Sequence, residues 1–199
     1  MQYDVIIIGG GQAGAMSAIT LRQKKFSGRI LLISNEGYLP YQRPPLSKAF
    51  LTDLLLTESL YIKSDAYYKR NKIDILMNDT VELIDRNKKN IILENGGKYS
   101  YQKLVLATGS ELNILDITCD KKNIYYLRTI DDSIKIRSLL EQQQKIVIVG
   151  AGYIGLEIAA AAIQKNQQVI VLEADNRVMS RSVSPETSNF FEAIHKKEG

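Results

Sequence analysis

The stretch Val5-Ile6-Ile7-Ile8-Gly9-Gly10-Gly11-Gln12-Ala13-Gly14 runs a continuous apolar segment straight into a glycine-rich turn. Residues 3–8 read as a strand of a parallel sheet, because such strands are covered on both faces and carry no polar alternation. The turn fits the pattern Gly-x-Gly-x-x-Gly. Gly9 serves the tight turn, Gly11 lets a pyrophosphate approach the backbone, and Gly14 lets the following helix pack close to the sheet. Ala13 to Lys25 reads as that helix and Arg29 to Ser34 as the next strand, which makes a strand–turn–helix–strand unit. The backbone N–H groups at Gln12 and Ala13 would open the helix towards the phosphates. A group that bonds ribose hydroxyls is expected about 20 residues beyond the turn. Asn35 and Glu36 stand there.

The same plan returns later in the chain. Lys145 to Val149 reads as a buried strand, Gly150-Ala151-Gly152-Tyr153-Ile154-Gly155 as a second glycine turn, Leu156 to Lys165 as a helix and Val169 to Glu173 as a strand. Glu173 follows Gly155 by 18 residues. A carboxylate there accepts from both ribose hydroxyls and repels a 2′-phosphate, which favours NAD over NADP. Arg177 and Arg181 argue the other way, since either could reach a phosphate. Two such turns, each in its full strand and helix context, imply two nucleotide cofactors used together. A flavin that takes hydride from a nicotinamide is the economical pairing.

Between the two units the pattern changes. Residues 37–48 form a loop rich in tyrosine and proline, and 64–71 read as a short helix. Residues 73–106 read as short strands, with hairpin turns at Asn87 and at Asn95-Gly96-Gly97. A polar helix is expected over 131–143, and a last amphipathic helix from Pro185. The fold class is therefore α/β, with two Rossmann-type units and a β-rich insertion. The domains divide at about 1–114 and 115–199.

Composition narrows the function classes. The 199 residues are 45% hydrophobic and 24% charged, with a net charge of +4. Lys and Arg are scattered, so no basic stripe points to nucleic acid. The apolar runs are far too short for a membrane span. The single cysteine, Cys119, permits neither an internal disulfide nor a Cys-x-x-Cys redox pair, and a reduced cytoplasm suits it. His195 reads as a solvated side chain on the last helix.

Several motifs carry a family resemblance across essentially the whole chain. Pro40-Tyr41-Gln42-Arg43-Pro44-Pro45-Leu46-Ser47-Lys48, Ala107-Thr108-Gly109-Ser110, Leu127-Arg128-Thr129 with Asp131-Asp132, Gly152-Tyr153-Ile154-Gly155-Leu156-Glu157, Arg177-Val178-Met179 and Ser184-Pro185-Glu186 are its carriers. Together they resemble the FAD-dependent ferredoxin and rubredoxin reductases of oxygenase systems, within the pyridine nucleotide-disulphide oxidoreductase superfamily. The resemblance implies FAD and NAD as cofactors and a ferredoxin- or rubredoxin-type electron acceptor as partner. It implies neither nucleic acid nor membrane as a partner.

The resemblance also implies roles for single residues. Lys48 would stand beside the flavin ring, where a cation stabilises a reduced, anionic flavin; the other reading is a solvated lysine at a helix start. Pro44 and Pro45 would form a rigid wall near the ring, and Arg43 would bond flavin polar atoms. Glu157 would lie near the nicotinamide amide and the flavin; its alternative is complementarity with the helix dipole from the first turn. Arg128 would lie near the flavin nucleotide, against a surface ion pair. Val81 would offer backbone groups to adenine, and Ala107, Thr108 and Gly109 would form the second flavin motif. Two departures stand out: Asn35 occupies a position where an acid is common, and family chains are about twice as long. A third flavin motif, with an aspartate facing the ribityl chain, has no counterpart here. The chain reads as an N-terminal fragment that alone is expected to hold FAD weakly and to be inactive. Other functional readings are a flavoprotein NADH oxidase, a nitrite reductase flavin portion, and an inactive nucleotide-binding module.

Overall fold

A computed structural model describes residues 1–117, 121–142 and 144–199. Cys119 lies outside the described residues. The chain divides into two compact units, Met1–Gln42 with Glu58–Asn113, and Arg43–Thr57 with Ile114–Gly199. Residues 43–57, which follow the first glycine unit in sequence, thus make their contacts with the second.

The first unit contains β1 (Gln2–Ile8), α1 (Gln12–Gln23), β2 (Ile30–Ile33), α2 (Asp65–Arg70), β3 (Ile73–Leu76), β4 (Val81–Asp85), β5 (Asn90–Leu93) and β6 (Lys98–Leu106). All six strands share one sheet, in the order β3-β2-β1-β6-β5-β4. The first four of that order run parallel, and β5 and β4 extend the sheet antiparallel. The β-rich region is therefore a continuation of the sheet that β1 and β2 begin. Its long strand β6 pairs with β1 along one edge and with β5 along the other. The apolar runs are buried as their sequence demands: Ile6, Ile7, Ile30 and Leu32 are fully enclosed. The turn into β6 sits at the expected Asn95-Gly96-Gly97, with Gly96 at φ +84° and the Asn95 side chain accepting from Gly97 N–H (2.8 Å).

The second unit contains α3 (Ile130–Leu140), β7 (Lys145–Val149), α4 (Tyr153–Gln164), β8 (Gln168–Leu172) and α5 (Pro185–Glu198). Strands β7 and β8 pair in parallel. Here the expectation of a buried strand over 145–149 is corrected. The α4 side is packed, whereas Val147, Val149, Ile170 and Leu172 are each more than half exposed on the other face. An apolar run reports that both faces suit burial, and it cannot say whether both are covered.

Residues 43–57 are fastened to this second unit. Pro44–Ser47 form a single 3-10 turn. The buried Ser133 hydroxyl of α3 donates to the Leu46 carbonyl (2.7 Å). Leu51 is fully buried against Ile136, Leu140, Ala161 and Ala162. Arg137 stacks over the Phe50 ring, 5.2 Å from its centroid, and pairs with Asp53.

Candidate functional site

The two glycine turns are built alike. Strand β1 ends at Ile8 and α1 starts at Gln12; β7 ends at Val149 and α4 starts at Tyr153. Both turns place a glycine at the helix N-cap in extended backbone, Gly11 at φ −79° and Gly152 at φ −78°. At each third glycine the helix approaches the turn too closely for a side chain. A Cβ would lie 1.9 Å from the Gly9 carbonyl at Gly14, and 2.0 Å from the Gly150 carbonyl at Gly155.

Gly11 and Gly152 are different. Their φ values suit any residue, and a Cβ on either meets nothing within 4 Å. Neither the turn nor the packing of the chain asks for glycine there. What remains is a need for open space over the backbone, where a pyrophosphate would rest.

The helix termini agree. Helices α2, α3 and α5 are capped by the side chains of Ser64, Thr129 and Ser184. Helices α1 and α4 have no side-chain cap and no acid in the first turn. Their first N–H groups, those of Gln12, Ala13, Tyr153 and Ile154 among them, have no intrahelical acceptor and are open to water or to an external anion. Tyr153 and Ile154 are both half exposed at the start of α4.

In the first unit, the remaining candidates gather around the first turn. Gly9 N–H donates to the Ile33 carbonyl (2.8 Å), and Ala107 N–H to the Ile8 carbonyl (2.8 Å). That brings the ends of β1, β2 and β6 together, and with them Ala107, Thr108 and Gly109. Asn35 is exposed just past β2. The Glu36 carboxylate accepts from the Tyr41 hydroxyl. The segment leading to the half-buried Val81 runs alongside, with Asp79 N–H donating to the Ser34 carbonyl (3.0 Å) and Asn78 N–H to the Glu36 carbonyl (3.2 Å).

The second unit collects the rest. The Glu173 carboxylate accepts from Ala151 N–H in the glycine turn (2.6 Å) and from Asp175 N–H (3.0 Å). The Asp175 and Ala151 N–H groups together hold its carboxyl below the usual carboxylate range. It is an anion at the point where β8 ends. Of the two arginines that follow, Arg177 is committed to the carbonyls of Val183 (2.9 Å) and Ser180 (2.6 Å). Arg181 is exposed.

Arg43 donates to the Arg128 carbonyl, which brings together in this unit the two arginines that the resemblance assigns to the flavin. Pro45 lies in the 3-10 turn beside Ser47 and Lys48. Lys48 Nζ sits 2.7 Å from Glu157 Oε1, and the Ser47 hydroxyl donates to Glu157 Oε2. The expected place of Glu157 in the first turn of its helix is corrected. Helix α4 begins at Tyr153, so Glu157 lies in its second turn, where the helix dipole is weak. Its partners are Ser47 and Lys48 instead. Sequence reasoning missed Ser47 and Ser133, because their partners lie 110 and 87 residues away and no periodicity links them. Among the described residues no group of three or more His, Cys, Asp or Glu side chains is placed to hold a metal ion, and no helix is long and apolar enough to cross a membrane.

This architecture defines a class: residues 3–199 match the family model of the pyridine nucleotide-disulphide oxidoreductases, and the chain belongs to that family. Within it, the chain is 39% identical over 198 residues to a rubredoxin-NAD(+) reductase of Pseudomonas putida, covering 98% of this chain and 51% of that one. It is 37% identical over 200 residues to putidaredoxin reductase of the same organism, covering 98% and 47%. The crystal structure of the covalent putidaredoxin reductase-putidaredoxin complex superposes with a TM-score of 0.94 at 37% identity, over 99% of this chain and 48% of that chain. A ferredoxin reductase from Rhodopseudomonas palustris gives a TM-score of 0.94 at 40% identity, over 98% and 49%. The chain spans about half the length of the relatives it matches.

Proposed function

We propose that the whole protein carrying these residues is a cytoplasmic, NADH-dependent, FAD-containing reductase of a ferredoxin- or rubredoxin-type iron–sulfur protein. The observation that carries this reading is the pair of glycines without an internal reason, Gly11 and Gly152, each at the head of an uncapped helix. Open space above a row of unpaired N–H groups fits a pyrophosphate, and its occurrence in both units fits two dinucleotides. The names of the relatives, reductases that pair NAD(+) with rubredoxin or serve putidaredoxin, support the choice of donor and acceptor.

In this reading the first turn and the N-terminus of α1 hold the FAD pyrophosphate, and Asn35 and Glu36 bond the adenosine ribose. Val81 offers backbone groups to adenine, and Ala107 to Gly109 line the same nucleotide. The turn at 150–155 holds the NADH pyrophosphate, and Glu173 takes the ribose hydroxyls. Its carboxylate has lone pairs beyond the two already used, so it can accept from a ribose without leaving the turn. Arg177 turns its Nη1 and Nη2 groups to backbone carbonyls, which leaves Arg181 as the exposed arginine that could bond a 2′-phosphate. The bound flavin supplies the conversion between a hydride and single electrons. Lys48 contributes a fixed positive charge, Arg43 and Arg128 further positive charge, and Pro45 a stiff backbone; Glu157 fixes Lys48 and serves the nicotinamide amide.

The test is a pair of substitutions. Gly11→Val abolishes FAD retention, and Gly152→Val leaves FAD bound while weakening NADH binding. Both proteins stay folded, because the added side chains enter open space. Full flavin occupancy in the Gly11→Val protein contradicts the assignment.

A further inference from the structure

We propose that Ser47 is a positioning residue: it fixes the carboxylate of Glu157 in the one orientation that holds Lys48. The proposal concerns what orients the Lys48 ammonium, and its functional half rests on the flavin reading given above.

The geometry is a three-residue relay inside the second unit. Ser47 is buried, only 5% exposed, at the end of the 3-10 turn. Its hydroxyl has a single proton. That proton has two acceptors within reach, the Pro44 carbonyl at 3.4 Å and the Glu157 carboxylate, which is far closer. A charged acceptor at shorter range wins, since such hydrogen bonds are roughly twice as strong as neutral ones. Ser47 therefore holds Oε2, which leaves Oε1 to Lys48 Nζ at 2.7 Å.

Glu157 needs this help. The side chain of Lys48 is 54% exposed and that of Glu157 27%. A pair so open to water gains little from its own attraction and loses rotamer freedom in forming. A bond from a buried, immobile hydroxyl removes the freedom of the carboxylate in advance. The hydroxyl is itself immobile because Ser133 pins the neighbouring Leu46 carbonyl from α3 and Leu51 is fully buried a few residues on. The fixation of Lys48 thus runs from α3, through the 3-10 turn and Ser47, to Glu157 on α4. None of these links needs a cofactor to be present.

The experiment reads the amine of Lys48 directly. The whole protein is treated briefly with an acetylating reagent, and modification of Lys48 is measured by peptide mass spectrometry against exposed Lys63. Ion pairing protects an amine. Ser47→Ala raises Lys48 labelling about three- to tenfold, as loss of a charge-assisted bond in a half-exposed pair implies. Glu157→Gln raises it at least as much. The double variant matches Glu157→Gln alone, because Ser47 acts only through Glu157, and Ser47→Thr, which keeps the hydroxyl, stays near the parent value. Unchanged labelling in Ser47→Ala, or additive effects in the double variant, overturns the proposal.

A second arm tests the functional half in protein that retains FAD. Ser47→Ala slows flavin reduction at saturating NADH while the NADH dissociation constant stays within about twofold. A weakened dissociation constant with an unchanged rate overturns that half. Protein that never retains FAD counts against the flavin reading and leaves the labelling result to judge the relay.

Discussion

In the proposed function, Glu173 is the single residue that sets the choice between NADH and NADPH. It lies past the end of β8, and two backbone N–H groups stabilise its charge. A ribose hydroxyl would be its next donor, and a 2′-phosphate would face an anion. Glu173→Ser is therefore expected to raise the KM for NADH roughly 10- to 100-fold, the equivalent of a charge-assisted hydrogen bond. NADPH would gain relative to NADH, because the repulsion is gone. Steady-state kinetics with both nucleotides checks this. A parent enzyme already faster with NADPH at equal concentration would assign the choice to Arg181. The sequence made Glu173 legible through its distance from Gly155. It could not show that Arg177 is tied to Ser180 and Val183, since those contacts depend on the path of a loop without periodicity.

At the scale of elements, strands and helices were legible wherever a period or a punctuating residue marked them. Helix α1, strands β1 and β2, and the Gly96 turn lie within about two residues of where the sequence pattern places them, whereas α4 begins at Tyr153, ahead of the expected Leu156. Two things were not legible. An apolar run cannot tell a strand covered on both faces, such as β2, from one open on one side, such as β7. Nor can it tell which unit a loop joins. Residues 43–57 look like part of the first nucleotide unit, yet Leu51, Phe50 and the Leu46 carbonyl are held by α3 and α4. That docking has a stability consequence. Leu51→Ala is expected to destabilise the second unit by about 2–5 kcal/mol, the usual cost of emptying a core leucine site. Urea unfolding measures it. A loss below about 1 kcal/mol, the size of an ordinary surface change, would show that the segment is not part of that core.

At the scale of the whole molecule, one polypeptide repeats a dinucleotide-binding plan, and each copy leaves a glycine over open space at an uncapped helix. The family match over residues 3–199 and the likeness to NAD(+)-dependent reductases fit that repetition. In the proposed function one copy serves a flavin, the other a nicotinamide, and hydride passes between the two carriers. The most direct measurement is to mix the whole, FAD-loaded protein with NADH in the absence of oxygen and follow the visible flavin absorbance. One equivalent of NADH is expected to bleach the flavin, and the colour is expected to return when an oxidised ferredoxin- or rubredoxin-type protein is added. A flavin that stays oxidised in excess NADH would contradict the proposed function.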